Sequence, residues 1–263
     1  MGKKLSIIGG GKMGEALLAG LLSADWASPE NISVVEPDEI RREELQGKFK
    51  GVECSETLTS SDNFLLAVKP QLVLNVCEEL NTYNPRRVIS IAAGVSIQSI
   101  EESFNSDTAV LRVMPNTPAM VGEGMSAIAA GSFASSEDLD WASSILSAVG
   151  EVVIVNESTL DAVTGLSGSG PAYLFFLAEA MTQAGINNGL DPTVADILTR
   201  QTLLGASTLL AKSGTSPEEL RASVTSPNGT TAAAISELQS NDFLSLINKA
   251  ISAATDRSKE LGA

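Results

Sequence analysis

Leu5-Ser6-Ile7-Ile8-Gly9-Gly10-Gly11-Lys12-Met13-Gly14-Glu15-Ala16-Leu17-Leu18 is the stretch whose reading decides the fold. A short apolar run suited to a strand enters Gly-x-Gly-x-x-Gly at residues 9–14, and an apolar helical pattern leaves it. In that context the three glycines form a dinucleotide fingerprint. Gly9 makes the tight turn, Gly11 lets the backbone approach a pyrophosphate, and Gly14 lets the helix pack closely on the strand. The opening turn of the helix, from Lys12 and Met13, offers unpaired N–H groups to the phosphates. A second strand-like run, Ile32 to Glu36, ends in an acid 22 residues after Gly14, where a ribose-binding acid is expected.

Working outward, residues up to about 155 alternate strand and helix, as a doubly wound sheet requires. Strands are expected at Leu5–Gly9, Ile32–Glu36, Val52–Cys54, Phe64–Val68, Val88–Ala93, Val110–Met114, Met125–Ala130 and Val152–Val155. A helix is expected over about Glu137 to Ala148. The runs are continuously apolar, which fits strands covered by helices on both faces. After residue 157 strand signals vanish. Ala, Leu and Thr recur at helical spacing between breaks at Gly189–Pro192, Gly214–Pro217 and Pro227–Gly229. Asp191-Pro192 and Ser216-Pro217 read as an N-cap followed by proline at the first helical position. The expected architecture is α/β: a Rossmann-like domain over 1–155, followed by an all-helical domain over 156–263.

Composition narrows the chemistry. The chain has 32 acidic against 17 basic residues, a net charge of −15, which argues against nucleic acid and anionic membranes as partners. Histidine is absent, so imidazole acid–base work, Ser-His-Asp triads and histidine metal sites are all excluded. Cys54 and Cys77 lack metal-ligand spacing, and no metal site is expected. The first apolar run is too short for a secretory signal, and free thiols fit a cytoplasmic protein.

Four segments fall where strands of the first domain should end, the side on which open α/β sheets bind ligands. They are Gly9–Gly14, Ala67-Val68-Lys69-Pro70, Ala92-Ala93-Gly94 and Met114-Pro115-Asn116-Thr117-Pro118. Lys69 could place a cation near ribose or phosphate, and Asn116 and Thr117 lie between prolines that stiffen their loop. Glu36 suits a ribose with free hydroxyls and repels a 2′-phosphate, whereas Arg41 and Arg42, in the next helix, suit that phosphate. Residues alone leave NADH and NADPH both open. In the second half, Leu166-Ser167-Gly168-Ser169-Gly170-Pro171-Ala172-Tyr173 joins turn glycines to a helix start. Val224-Thr225-Ser226-Pro227-Asn228-Gly229-Thr230-Thr231 gathers N–H and O–H donors able to hold a small carboxylate without a cation.

Together the segments IIGGGKMGEALLAGLL, LAVKPQ, ISIAAGVSI, RVMPNTPAMVGEGMSA, AVTGLSGSGPAYLFFLAEAM and VTSPNGTTAAAISEL resemble the pyrroline-5-carboxylate reductase family, in order from residue 7 to 238. Asn228 stands where that family usually has glycine. The resemblance implies reduction of L-1-pyrroline-5-carboxylate to L-proline with NADPH or NADH. It implies a substrate loop of Ser226, Asn228, Gly229, Thr230 and Thr231, with Thr231 bonding the ring nitrogen, and adds Glu157 as a further site residue. It also implies a homo-oligomer, a dimer or a ring of dimers, joined through the helical domain. A reductase of the six-membered imino acid and a non-catalytic dinucleotide sensor are the alternatives. A β-hydroxyacid dehydrogenase would need a lysine on the interdomain helix, and no lysine occurs between Lys69 and Lys212.

Overall fold

A computed structural model describes residues 2–262. Every expected strand is a strand, with ends shifted by no more than three residues. They are β1 (Leu5–Ile8), β2 (Ile32–Val35), β3 (Glu53–Ser55), β4 (Asn63–Leu66), β5 (Arg87–Ser90), β6 (Ala109–Met114), β7 (Gly124–Ala130) and β8 (Gly150–Ile154). The order across the sheet is β3-β2-β1-β4-β5-β6-β7-β8. The first six strands are parallel, β7 runs antiparallel to β6, and β8 is parallel to β7. The order reverses between β1 and β4, and a crevice opens at such a point beyond the strands' carboxyl ends.

Successive residues of one strand serve two cores, because side chains alternate across a sheet. Ile7, Leu65, Ile89 and Leu111 face α1 (Lys12–Ser23), α2 (Glu39–Lys48) and, further along the chain, the helix Ser136–Leu146. Ile8, Leu66, Val88 and Val110 face α3 (Val73–Leu80) and α4 (Ile97–Glu101). With both faces covered, the strands need to be apolar throughout. The helix Ser136–Leu146 is α5, and its capping box joins Ser135 to Asp138. Asp138 also accepts from Arg87 Nε at 2.5 Å, a buried pair that ties α5 to the start of β5.

The chain divides into two compact units. One contains residues up to Ser169 together with those from Ser252 onward, and the other is Gly170–Ile251. The sheet unit continues beyond 155 because Leu160 of α6 (Leu160–Val163) is buried in its second core. A π-helical turn follows at Thr164–Gly168.

The helical unit holds α7 (Gly170–Asn187), α8 (Pro192–Ser213), α9 (Pro217–Ser223), α10 (Thr230–Ser240) and the first part of α11 (Phe243–Leu261). The later part of α11 returns to the sheet unit, where Ser258 donates to Asp161 at 2.7 Å. Asp191 caps α8 and Ser216 caps α9, each ahead of a first-position proline, as their sequences require. Within the helical unit only Ala195 and Thr199 are buried, while Phe175, Phe176, Ile197, Leu204, Leu238 and Leu244 are exposed. Among the described residues, no helix is long and apolar enough to cross a membrane.

Candidate active site

The fingerprint turn is built by close approach. Gly9 has φ +107°, and a Cβ there would stand 2.5 Å from the Ala67 carbonyl oxygen. A Cβ on Gly14 would collide with the Gly9 carbonyl oxygen, so glycine lets α1 settle on β1. Gly11 differs: nothing lies within 4 Å of its Cβ position, and it is exposed. It begins α1 in an extended conformation, and no side chain caps that helix end. Open space ahead of unpaired helical N–H groups is what a pyrophosphate requires. Lys12 is exposed beside it, and Met13 is half-buried.

The four loop segments lie at the carboxyl ends of β1, β4, β5 and β6, adjacent strands of the sheet. Ala67 and Val68 are half-buried against Gly9, and Lys69 and Pro70 are exposed. Ala92 is buried, Ala93 half-buried, and Gly94 has φ +78°. A Cβ on Gly94 would stand 2.9 Å from the carbonyl oxygen of Leu261, so the end of α11 braces this loop. Asn116 spends its side chain on the fold: Oδ1 accepts from the Met125 N–H at 2.8 Å, and Nδ2 donates to the Ser167 carbonyl at 3.1 Å. Thr117 beside it is exposed.

Glu36, just past β2, accepts from the Gly10 N–H at 2.9 Å and from the Asp38 N–H at 3.0 Å. Arg41 donates Nε to the Gly10 carbonyl at 2.8 Å and pairs with Glu44 and Glu15. The Glu15 carboxyl is held below the usual range by hydrogen bonds from Lys48 and Arg41. Sequence reading had no means of finding this Arg41 contact with the turn. It also missed Arg112, a cation within an apolar strand. Arg112 donates to Glu157 at 2.9 Å, and the same Glu157 oxygen accepts from the Ile97 N–H at 2.7 Å. Glu157 therefore anchors the start of α4 to β6.

In the helical unit, Ser226 to Thr231 form a turn entering α10. Asn228 takes φ +59°, a conformation asparagine tolerates, so replacing the family's glycine keeps the turn. Gly229 donates its N–H to the Ser226 carbonyl at 3.0 Å and begins α10 with no side-chain cap. Thr230 is exposed and Thr231 half-buried in the first turn of that helix. Gly168, in the π turn, packs under the end of the Met114 side chain, 2.6 Å from where a Cβ would stand. Among the described residues no group of three His, Cys, Asp or Glu side chains is placed to hold a metal.

Fold and turn together define a Rossmann-type dinucleotide-binding protein with a helical second unit. A family model described as pyrroline-5-carboxylate reductase dimerisation matches residues 157–261, and one described as NADP oxidoreductase, coenzyme F420-dependent, matches residues 4–94. A pyrroline-5-carboxylate reductase of Synechocystis is 45% identical, over 100% of this chain and 99% of the relative. One from Corynebacterium melassecola is 42% identical over 98% of each. The solved pyrroline-5-carboxylate reductase of Coxiella burnetii has a TM-score of 0.93 at 35% identity, covering 100% of both chains. That of Plasmodium falciparum, with NADP bound, has a TM-score of 0.85 at 30% identity over 99% and 98%. The chain belongs to the pyrroline-5-carboxylate reductase family.

Proposed function

We propose that this chain reduces the ring imine of L-1-pyrroline-5-carboxylate to L-proline with NADH or NADPH. The observation that carries the reading is an open, uncapped fingerprint turn in a chain that matches pyrroline-5-carboxylate reductases from end to end. The backbone of Gly9–Gly14 would hold the pyrophosphate and Glu36 the adenosine ribose, with Ala67–Pro70, Ala92–Gly94, Asn116 and Thr117 lining the path to the nicotinamide. When bound, the reduced nicotinamide supplies hydride.

The residues' own work is to bind and polarise the imino acid. The N–H groups that open α10, with Ser226, Asn228, Gly229 and Thr230, would hold the carboxylate. That arrangement suits a chain of net charge −15, since fixed local dipoles do not depend on long-range attraction. Thr231 would donate its hydroxyl toward the ring nitrogen. A ring imine is basic enough to carry a proton near neutral pH, so orientation and one hydroxyl replace the missing histidine. Glu157, pinned to Arg112 and α4, would act by positioning rather than by touching the imine.

The exposed apolar helices support a homo-oligomer, a dimer or a ring of dimers, in which a second copy covers them. Buried free thiols at Cys54 and Cys77 suit the cytoplasm. The test is turnover with pyrroline-5-carboxylate and either dinucleotide, proline being measured directly. Thr231→Ala should lower kcat by about tenfold or more, leave dinucleotide affinity unchanged, and be rescued by Thr231→Ser. Unchanged turnover removes Thr231 from its role, and absence of proline overturns the reading.

A further inference from the structure

Which dinucleotide this chain takes is written around Glu36, an inference that rests on the dinucleotide site proposed above. The Glu36 carboxylate is fixed at both oxygens. Oε2 accepts from the Gly10 N–H at 2.9 Å, and Oε1 from the Asp38 N–H at 3.0 Å. A carboxylate has about four lone-pair sites, so each oxygen keeps one to spare. Two adjacent ribose hydroxyls offer two donors to such a pair of acceptors. A ribose phosphorylated at the 2′ position has no donor there and brings about −1.5 to −2 of charge. Facing a carboxylate that cannot turn away, that group needs a free cation.

The nearby arginines are committed elsewhere. Arg41 donates Nε to the Gly10 carbonyl at 2.8 Å and Nη1 to Glu44 at 2.9 Å, and its Nη2 pairs with Glu15. Lys48 is drawn to the same Glu15 at 2.5 Å. Arg42 donates Nη1 to the carbonyls of Glu36 at 2.8 Å and Pro37 at 2.7 Å, and its Nη2 lies 3.8 Å from Glu56. Recruiting either arginine to a phosphate breaks contacts the protein already makes. We propose that Glu36, locked onto the Gly10 and Asp38 amides with Arg41 and Arg42 held by their neighbours, makes this chain select NADH over NADPH.

The test is equilibrium binding of NADH and NADPH to the full-length protein without substrate, at low and high ionic strength. NADH should bind more tightly by about tenfold or more, and the gap should narrow with salt, which screens charges over about 10 Å at 0.1 M. Glu36→Gln keeps the shape and removes the charge, so the ratio should move about tenfold toward NADPH. A Glu36 that merely holds the turn would weaken both dinucleotides equally in this variant, and that result overturns the inference. Glu44→Gln, on an exposed residue, releases one Arg41 nitrogen without touching the turn. It must shift the ratio the same way by a smaller factor, even if Glu36→Gln does not fold. Tight binding without NADH preference overturns the inference alone. Binding of neither dinucleotide overturns the site reading and the inference together.

Discussion

Gly11 and Gly14 separate two demands that the fingerprint places on glycine. At Gly14 the demand comes from the protein, because a Cβ there collides with the Gly9 carbonyl. Gly14→Ala should cost about 1–3 kcal/mol, read in a thermal melt. At Gly11 the space is empty and φ is −65°, which alanine adopts freely. Gly11→Ala should therefore leave the melting temperature unchanged or slightly raised, yet weaken dinucleotide binding by about tenfold or more. Unchanged binding by Gly11→Ala would contradict the placement of the pyrophosphate there. Residues of this kind are legible in sequence because a short motif fixes their backbone geometry. The contacts of Asn116, Arg41 and Arg112 are not, since their partners Ser167, Gly10 and Glu157 lie 51, 31 and 45 residues away.

At the scale of elements, α5 depends on one carboxylate. Asp138 closes the capping box with Ser135 and faces Arg87, which also lies 5.1 Å from the Trp141 ring. Burial pushes the Asp138 carboxyl up, but the bonds from Ser135 and Arg87 prevail and hold it below its ordinary value of 3.8. A lowered native value means that its stabilisation is fully present above pH 3.8 and is lost as pH falls further. Asp138→Ala should cost about 1–3 kcal/mol near neutral pH, because the buried Arg87 Nε loses its carboxylate while Nη2 keeps only the exposed Glu137 at 2.8 Å. In acid-denaturation curves the gap between wild type and variant should close below pH 3.8; a constant gap would show that the charge is not involved. The eight strands were readable because apolar runs and turn residues mark them. The reversal of β7 was not, because a run apolar on both faces reads the same in either direction. Proline and its cap residue made the starts of α8 and α9 plain.

At the scale of the molecule, the helical unit exposes apolar side chains on α7, α8, α10 and α11 with almost nothing buried among them. Its sequence shows helices but not this exposure, since an interface and a core share the same apolar pattern. The return of the last helix to the sheet unit was equally hidden, since its contacts, such as Ser258 with Asp161 and the backbone of Leu261 with Gly94, join residues far apart in the chain. Light scattering should give at least twice the chain mass of 27.3 kDa, and Phe176→Asp with Ile197→Asp should lower it or unfold the protein. A folded 27.3 kDa monomer would contradict the oligomer. The proposed reaction is a single hydride transfer from the nicotinamide to the ring imine. The most direct measurement supplies pyrroline-5-carboxylate with NADH deuterated at nicotinamide C4 and weighs the proline formed. One deuterium is expected, on the former imine carbon, from one of the two C4 labels; proline without deuterium from either label, or no proline at all, would rule out the proposed reduction.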